Sequence, residues 1–316
     1  MLTILLSPCY LKNRASHKKE VSLLVSHKAR RSGLMAGRFV IFTDLDGSLL
    51  DAETYSFQAA RPALQKLKKK QVPIILCTSK TRAETEVIAR KIGLNHPFIV
   101  ENGGAIFIPA GYFTSEQLRN SGYKVIRKGD YLVIQLGLPY RQLRQFMVST
   151  RKKFKLKVKG FGDCRPEEIA RLTGLGLKEA RLAARREYDE PLWFEDPSRI
   201  RLFREKVREA GLKLVRGGRF FHLTGKNDKG RAVRILKNLY RKKLGQLISL
   251  GLGDADNDWP MLKEVELPGL IARPDGQPVG LKQVPENIYK TKKAGPAGWA
   301  EAINYWLKVT QTKASP

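Results

Sequence analysis

The chain has 316 residues, which is long enough for two compact lobes with separate cores. Its apolar content of 42% and aromatic content of 9% exclude a chain that is disordered throughout. No stretch approaches the roughly 20 apolar residues of a membrane-spanning helix, and the start of the chain does not read as a secretory signal. Three widely spaced cysteines make neither a disulfide framework nor a zinc motif, so we expect a cytoplasmic location.

The charge balance is strongly basic, with 59 Lys+Arg against 30 Asp+Glu and a net charge of +29. Such an excess suits a nucleic acid, a polyanionic small substrate or simply a solvated basic surface. Because the basic residues are not interleaved with aromatic ones, nucleic acid is an unlikely partner. Residues 1–36 form a basic, Ser-rich arm without apolar periodicity, which we expect to be disordered and to carry no chemistry.

After the arm, apolar strands alternate with helices. FVIFT (39–43), VPIILCT (72–78) and PFIVENG (97–103) have the continuous apolar character of buried parallel strands. A helix from Lys229 and a strand QLISLGL (246–252) resume this pattern later. The alternation predicts an α/β fold with a doubly wound, Rossmann-like parallel sheet.

A different rhythm interrupts this pattern from about residue 112. KVIRKGDYLVIQLG reads as a hairpin, and KLVRGGRFFHLTG as a second hairpin that turns at Gly217-Gly218, with helices between them. We therefore predict an inserted α+β cap domain over residues 111–222, with the core formed by residues 37–110 and 223–316.

The loop after the first strand carries two carboxylates, Asp44 and Asp46, followed by Gly47. Doubly wound folds place their sites at the carboxyl ends of the strands. Two carboxylates one residue apart can divide nucleophilic attack and proton transfer between them, and a glycine allows a tight turn toward a phosphate. An acidic turn with a glycine is common, so this motif alone proves little.

Three further elements follow strands or begin helices of the same predicted sheet. Ser79 offers a hydroxyl after the second strand, and Lys229 offers an ammonium group at a helix start. The segment GDADND (253–258) offers a cluster of hard oxygen ligands suited to Mg²⁺. Each element also has an ordinary reading, as a helix cap, a surface lysine or a solvated turn, but their joint order is improbable by chance.

These elements resemble the four motifs of the haloacid dehalogenase-like phosphatases, and the likeness runs from about Phe39 to Asp275. The segments that carry it are DLDGS (44–48), TSK (78–80), DKG (228–230) and GDADND (253–258). ENGG (101–104), with a cap between the second and third motifs, is typical of the Cof-type subgroup. Ser48 stands where the family more often has Thr.

The resemblance implies a covalent mechanism with Mg²⁺ as the cofactor. Asp44 would form an aspartyl phosphate, and Asp46 would protonate the leaving oxygen and then accept a proton from water. Ser79 and Lys229 would stabilise the phosphoryl oxygens, and Asn102 and Gly103 of the ENGG segment would lie at the substrate. The implied metal set comprises Asp44, Asp46 through its backbone carbonyl, Asp254, Asn257 and Asp258.

Within the family, the segment AARREYDEP (183–191) is similar to phosphatases that act on mannosyl-3-phosphoglycerate. The expected substrate is therefore a small anionic phosphorylated sugar. Arg185 and Arg186 suit its carboxylate, and Tyr188 and Glu190 suit its sugar hydroxyls. Open alternatives are the glucosyl analogue, another sugar phosphate, a phosphomannomutase-like transferase and a basic nucleic-acid-binding protein.

Overall fold

The computed structural model describes residues 38–217, 219–274, 276 and 288–311. The predicted arm (residues 1–36) and the second residue of the predicted Gly217-Gly218 turn lie outside these residues. In the described part of the chain, every helix falls short of the length and apolarity that crossing a bilayer requires.

The strands and helices follow one another in a regular order. The strands are β1 (Arg38–Thr43), β2 (Ile74–Leu76), β3 (Phe98–Val100), β4 (Ala105–Pro109), β5 (Val125–Lys128), β6 (Tyr131–Gln135), β7 (Val158–Gly160), β8 (Asp189–Phe194), β9 (Lys213–Arg216), β10 (Phe221–Thr224), β11 (Leu247–Gly253), β12 (Leu267–Ala272) and β13 (Tyr289–Ala294). The α-helices are α1 (Arg61–Lys69), α2 (Arg82–Ile92), α3 (Ser115–Arg119), α4 (Tyr140–Phe154), α5 (Pro166–Thr173), α6 (Leu177–Ala183), α7 (Ile200–Glu209), α8 (Lys229–Leu244), α9 (Trp259–Glu264) and α10 (Gly295–Gln311). Short 3-10 turns cover Gln58–Ala60, Glu101–Gly103, Phe161–Asp163, Pro197–Arg199 and Asp256–Asp258.

A parallel sheet with the order β13-β12-β11-β1-β2 forms the centre of the fold. Strand β1, which lies between β11 and β2, is buried on both faces, since Val40, Ile41 and Phe42 are at most 1% exposed. Helices α1 and α10 pack on one face and α8 on the other. The predicted doubly wound α/β core is therefore confirmed, and its cause is the apolar character of the strands on both faces.

The hairpin β5–β6 departs from the predicted domain organisation. It forms as predicted, but β6 pairs with β4, and β3 lies beside β2 through a bridge between Cys77 and Ile99. Val133 and Ile134 of β6 are buried in the same clusters as the strands of the central sheet. The hairpin therefore extends the core, although we predicted that it belongs to the cap.

The remaining insertion has a sheet and a core of its own. Strands β7-β8-β10-β9 form an antiparallel sheet, and helices α4 and α7 pack on it through a cluster that includes Leu143, Leu192 and Phe203. An α+β insertion is thus confirmed. We propose that the cap domain starts after β6, near residue 138, and ends with β10.

Candidate active site

The carboxyl ends of β1 and β11 bring the predicted acidic groups together. These strands are parallel neighbours, and the Asp44 N–H bonds to the Leu252 carbonyl at 2.8 Å, so the loops after both strands start side by side. Carboxylate oxygens of Asp44, Asp254 and Asp258 lie within 4.8 Å of one another. The structure therefore assembles residues that are about 210 positions apart in the chain into one cluster.

Lys229 lies between two of these carboxylates. Its Nζ is 2.6 Å from Asp44 Oδ1 and 2.6 Å from Asp258 Oδ1, and its side chain is fully buried. The Asp228 side chain caps the start of α8 by accepting from the Arg231 N–H, which fixes the position of Lys229. A single ammonium group thus faces three carboxylates.

The cluster holds more negative charge than its lysine can balance. Burial and the neighbouring Asp258 raise the pKa of Asp44 well above its usual value, although Lys229 opposes this. Burial and Asp258 also raise the pKa of Asp254 to about 7. A divalent cation binds hard oxygen donors and would relieve the repulsion among these three carboxylates. The residues therefore fit the predicted metal site.

The turn at Gly47 brings the nucleophile loop close to the acidic loop. Gly47 has a φ of +77°, and a Cβ at this position would lie 2.7 Å from Asp254 Oδ2. The next residue, Ser48, donates to Asp254 Oδ1 at 3.0 Å. The glycine is therefore needed both for the left-handed backbone and for the close approach.

Asp258 and Asn257 hold the acidic loop in shape. Asp258 Oδ2 accepts the N–H groups of Asp254 and Ala255, both at 3.0 Å, while its other oxygen binds Lys229. Asn257 donates to Asn102 Oδ1 at 3.0 Å. Asp258 has both oxygens occupied by protein groups, and the predicted role of both residues around a metal stays a prediction.

Asp46 points away from the carboxylate cluster and toward Lys80. Its Oδ2 lies 3.1 Å from Lys80 Nζ, and its Oδ1 is a buried atom without a hydrogen-bond partner in the described part of the chain. Asp46 thus lies apart from the carboxylate cluster, and its role in proton transfer stays a prediction. We predicted no role for Lys80, although it follows Ser79 directly.

Ser79 and Arg186 meet at the edge of the site. The Ser79 side chain is half-buried, and within the described residues its hydroxyl has no hydrogen-bond partner. Its backbone carbonyl accepts from Arg186 Nη1 at 2.8 Å, and Arg186 Nε donates to the Ala183 carbonyl at 2.9 Å. The cap segment therefore fixes one arginine beside the loop after β2. Arg185, in contrast, is exposed to solvent.

The ENGG turn lies between the core and the cap. The amide of Asn102 accepts from Asn257 and donates to Asp189 Oδ2 at 2.6 Å, and Asp189 in turn pairs with His222. A Cβ on Gly103 would lie 2.2 Å from the Asp228 carbonyl. Both ends of the Asn102 amide are bonded to protein groups, and the predicted roles of Asn102 and Gly103 at the substrate stay predictions.

Two cap residues are placed differently from our expectation. Tyr188 is only 6% exposed and packs in a core cluster, where its Cβ would clash with any side chain on Gly104. Glu190 is fully buried, and its oxygens accept from Tyr140, from Arg144 at 2.8 Å and from the backbone N–H of Gly162. The Glu190 carboxylate is thus bonded within the cap and the Tyr188 ring is used for packing, while the predicted roles of both side chains at the sugar stay predictions.

Comparisons with known proteins agree with this fold. A family model described as haloacid dehalogenase-like hydrolase matches residues 41–146. A relative from Methanococcoides burtonii named glucosyl-3-phosphoglycerate/mannosyl-3-phosphoglycerate phosphatase is 45% identical over 267 residues, which are 84% of this chain and 96% of the relative. Mannosyl-3-phosphoglycerate phosphatase from Pyrococcus furiosus is 37% identical over 73% of this chain and 90% of its own.

A solved structure from Thermoplasma acidophilum shares the fold with a TM-score of 0.59, 18% identity and coverage of 86% of this chain and 97% of that chain. Together with the acidic cluster and its lysine, these likenesses define the class of protein. The chain belongs to the haloacid dehalogenase-like hydrolases, as the sequence motifs predicted. This family uses a divalent metal ion, and the Asp44, Asp254 and Asp258 cluster offers a place for one.

Proposed function

We propose that this phosphoric monoester hydrolase removes the phosphate from mannosyl-3-phosphoglycerate and from its glucosyl analogue, releasing a glycosylglycerate. The observation that carries the chemistry is Asp44 at the end of β1, with Lys229 on one oxygen and Asp254 beside it. The names of the relatives support the substrate. Both sugars appear in the name of the Methanococcoides burtonii relative, so we expect weak discrimination between them.

In the proposed reaction, one oxygen of Asp44 attacks phosphorus while the bond from phosphorus to the glycerate oxygen breaks. Asp46 gives its proton to that oxygen, and in the second half of the reaction it takes a proton from the attacking water. Lys229 and Ser79 stabilise the phosphoryl oxygens. Mg²⁺, held by Asp44, the Asp46 carbonyl and Asp254, would supply positive charge against the carboxylates and the phosphate.

Arg186 is our candidate for the glycerate carboxylate. Its Nε and Nη1 groups donate to backbone carbonyls, and in the described residues its Nη2 group donates no hydrogen bond. Asp189 and Glu84 lie near enough to balance its charge, but in the described residues they form no ion pair with it. A fixed guanidinium beside the Ser79 loop, with one nitrogen still free to donate, can bind an oxyanion held next to the phosphate.

The proposal is tested by measuring phosphate release with Mg²⁺ from four compounds: mannosyl-3-phosphoglycerate, glucosyl-3-phosphoglycerate, mannose 6-phosphate and 3-phosphoglycerate. We expect kcat/KM to be highest for the two glycosylated phosphoglycerates. A preference for mannose 6-phosphate would refute the substrate, and isomer exchange without phosphate release would favour a mutase-like transferase. The cysteine content makes the cytoplasm the proposed place of this reaction.

The role of Arg186 has a matched control in its neighbour. Arg186→Lys should lower kcat/KM on the glycosylated phosphoglycerates by about 10- to 100-fold and change mannose 6-phosphate much less, because Lys cannot reproduce the planar fork. The exposed Arg185→Lys should behave as wild type. An equal loss of kcat/KM on the glycosylated phosphoglycerates and on mannose 6-phosphate would show that Arg186 does not bind the glycerate carboxylate.

A further inference from the structure

Lys80 is a buried lysine that the reaction described above does not use. It lies directly after Ser79, and its side chain is 8% exposed. Its Nζ is 3.1 Å from Asp46 Oδ2 and 3.5 Å from a Glu84 oxygen, and it lies 4.9 Å from the centre of the Tyr55 ring. Burial lowers the pKa of Lys80, but the Asp46 and Glu84 carboxylates outweigh it and raise the pKa, so the ammonium group stays charged.

Two of these contacts, with Glu84 and Tyr55, hold Lys80 independently of Asp46. Glu84 is fixed by the capping box at the start of α2, where it accepts from the Thr81 N–H and hydroxyl, both at 2.9 Å. Tyr55 belongs to the loop that follows the nucleophile. Glu84 and Tyr55 therefore fix the position of the ammonium group without help from Asp46. The Asp46 side chain is 40% exposed and would sample several rotamers without the Lys80 contact.

The contact divides the two oxygens of Asp46. Oδ2 pairs with Lys80, whereas Oδ1 is buried without a partner in the described part of the chain. A buried oxygen without a hydrogen-bond partner destabilises the folded protein, so its presence calls for a structural or functional reason. On the proposed mechanism, Asp46 gives a proton to the leaving oxygen and later takes one from water, so the rotamer that Lys80 fixes determines where that proton is held.

We infer that Lys80 is a positioning residue, which fixes the rotamer of Asp46 for proton transfer to the leaving group. This inference rests on the proposed phosphatase reaction. The P–O bond to the leaving group breaks with its electron pair on that oxygen, and the proton of Asp46 neutralises it. A misplaced carboxyl would slow this transfer without weakening substrate binding.

The test compares two leaving groups in the Lys80→Met variant, with Mg²⁺ present. The glycerate oxygen of a natural ester needs a proton to depart, whereas p-nitrophenolate departs without one. We expect kcat on a glycosylated phosphoglycerate to fall by about 10- to 100-fold, with KM within about threefold of wild type. The pre-steady-state burst of p-nitrophenol from p-nitrophenyl phosphate should keep a rate within about threefold of wild type.

Two controls separate this effect from a loss of structure. Lys91 lines the same cavity of about 90 Å³ beside Lys80 but is exposed and has no contact with Asp46, so Lys91→Met should match wild type throughout. If Lys80→Met fails to fold because Glu84 loses its counter-charge, Lys80→Met/Glu84→Gln carries the same comparison. Melting temperatures verify that each variant is folded.

A double-mutant cycle shows whether Lys80 acts through Asp46. Adding Lys80→Met to Asp46→Asn should cost less than about threefold in kcat, because the group that Lys80 positions is already disabled. The inference is wrong if Lys80→Met lowers the p-nitrophenol burst as much as the steady-state rate on the natural ester, or if the losses of Lys80→Met and Asp46→Asn are additive. Neither result would contradict the proposed phosphatase reaction. If wild type releases phosphate only from other alkyl esters, the proposed substrate is wrong, and the cycle is run on the ester that is hydrolysed.

Discussion

Replacing Lys229 with Met tests the electrostatic arrangement of the site most directly. The substitution keeps an unbranched apolar side chain, one heavy atom shorter than lysine, but removes the only positive charge that bonds Asp44 and Asp258 in the described residues, each at 2.6 Å. At an effective dielectric constant near 20, one such pair attracts by about 6 kcal/mol before desolvation is subtracted. Because breaking a buried pair leaves a carboxylate without compensation, we expect a net loss of about 3–5 kcal/mol of unfolding free energy.

The assay is urea unfolding at pH 7 in EDTA, followed by circular dichroism. EDTA is needed because a bound cation would take over part of the role of the lost ammonium group. Arg231, exposed two residues further along α8, provides the control: Arg231→Met should change the unfolding free energy by less than about 0.5 kcal/mol. Adding Asp258→Asn to Lys229→Met should restore about 1–2 kcal/mol, since one of the opposed charges is gone. A loss below about 1 kcal/mol for Lys229→Met would refute the reasoning.

Three further outcomes are expected. Asp44→Asn should reduce phosphate release to a trace, because an amide is a poor nucleophile. Its melting temperature should stay near or above that of wild type, because the neutral amide relieves the repulsion among the carboxylates. Sustained turnover by this variant would exclude the covalent mechanism. EDTA should abolish activity and Mg²⁺ should restore it, and Asp254→Ala should need far more Mg²⁺ for half-maximal activity; full turnover without metal would contradict the cation site. Burial raises the pKa of Glu101 from 4.5 to about 8, so its contribution to stability is present in acid and lost as the pH rises from about 4.5 to 8. The melting temperature of Glu101→Gln should therefore rise relative to that of wild type as the pH increases over this interval. Melting temperatures of the two proteins that change in parallel with pH would contradict this prediction.

The proposed division of labour explains why the nucleophile loop carries two carboxylates in such different surroundings. Asp44 is 6% exposed and shares the charge of Lys229 with Asp258, whereas Asp46 is more exposed and pairs with Lys80. The two carboxyl groups therefore have separate counter-charges, although the residues are only two positions apart in the chain.

Local patterns in the sequence determined much of the fold and the position of the site. The apolar runs predicted β1, β2 and β11. Thr81 and Glu84 stand at capping-box spacing and Gly93 is a typical helix terminator, and the structure has α2 between them at Arg82–Ile92. Polar residues directly after such strands were predicted to meet, and Asp44 and Asp254 do meet. These inferences succeeded because strand and helix signals are local and because parallel strands present their carboxyl ends at one edge.

Contacts between distant segments were decided only by the tertiary structure. The hairpin β5–β6 was recognised from its own residues, but its neighbour β4 was not, and it therefore joined the core instead of the cap. Tyr188 and Glu190 were expected at the sugar hydroxyls, yet both residues are buried against partners on other elements. The pairing of Lys80 with Asp46 likewise joins residues 34 positions apart. Local periodicity tells which face of an element is apolar, but which element covers that face depends on how the layers pack, and no short stretch of sequence encodes that packing.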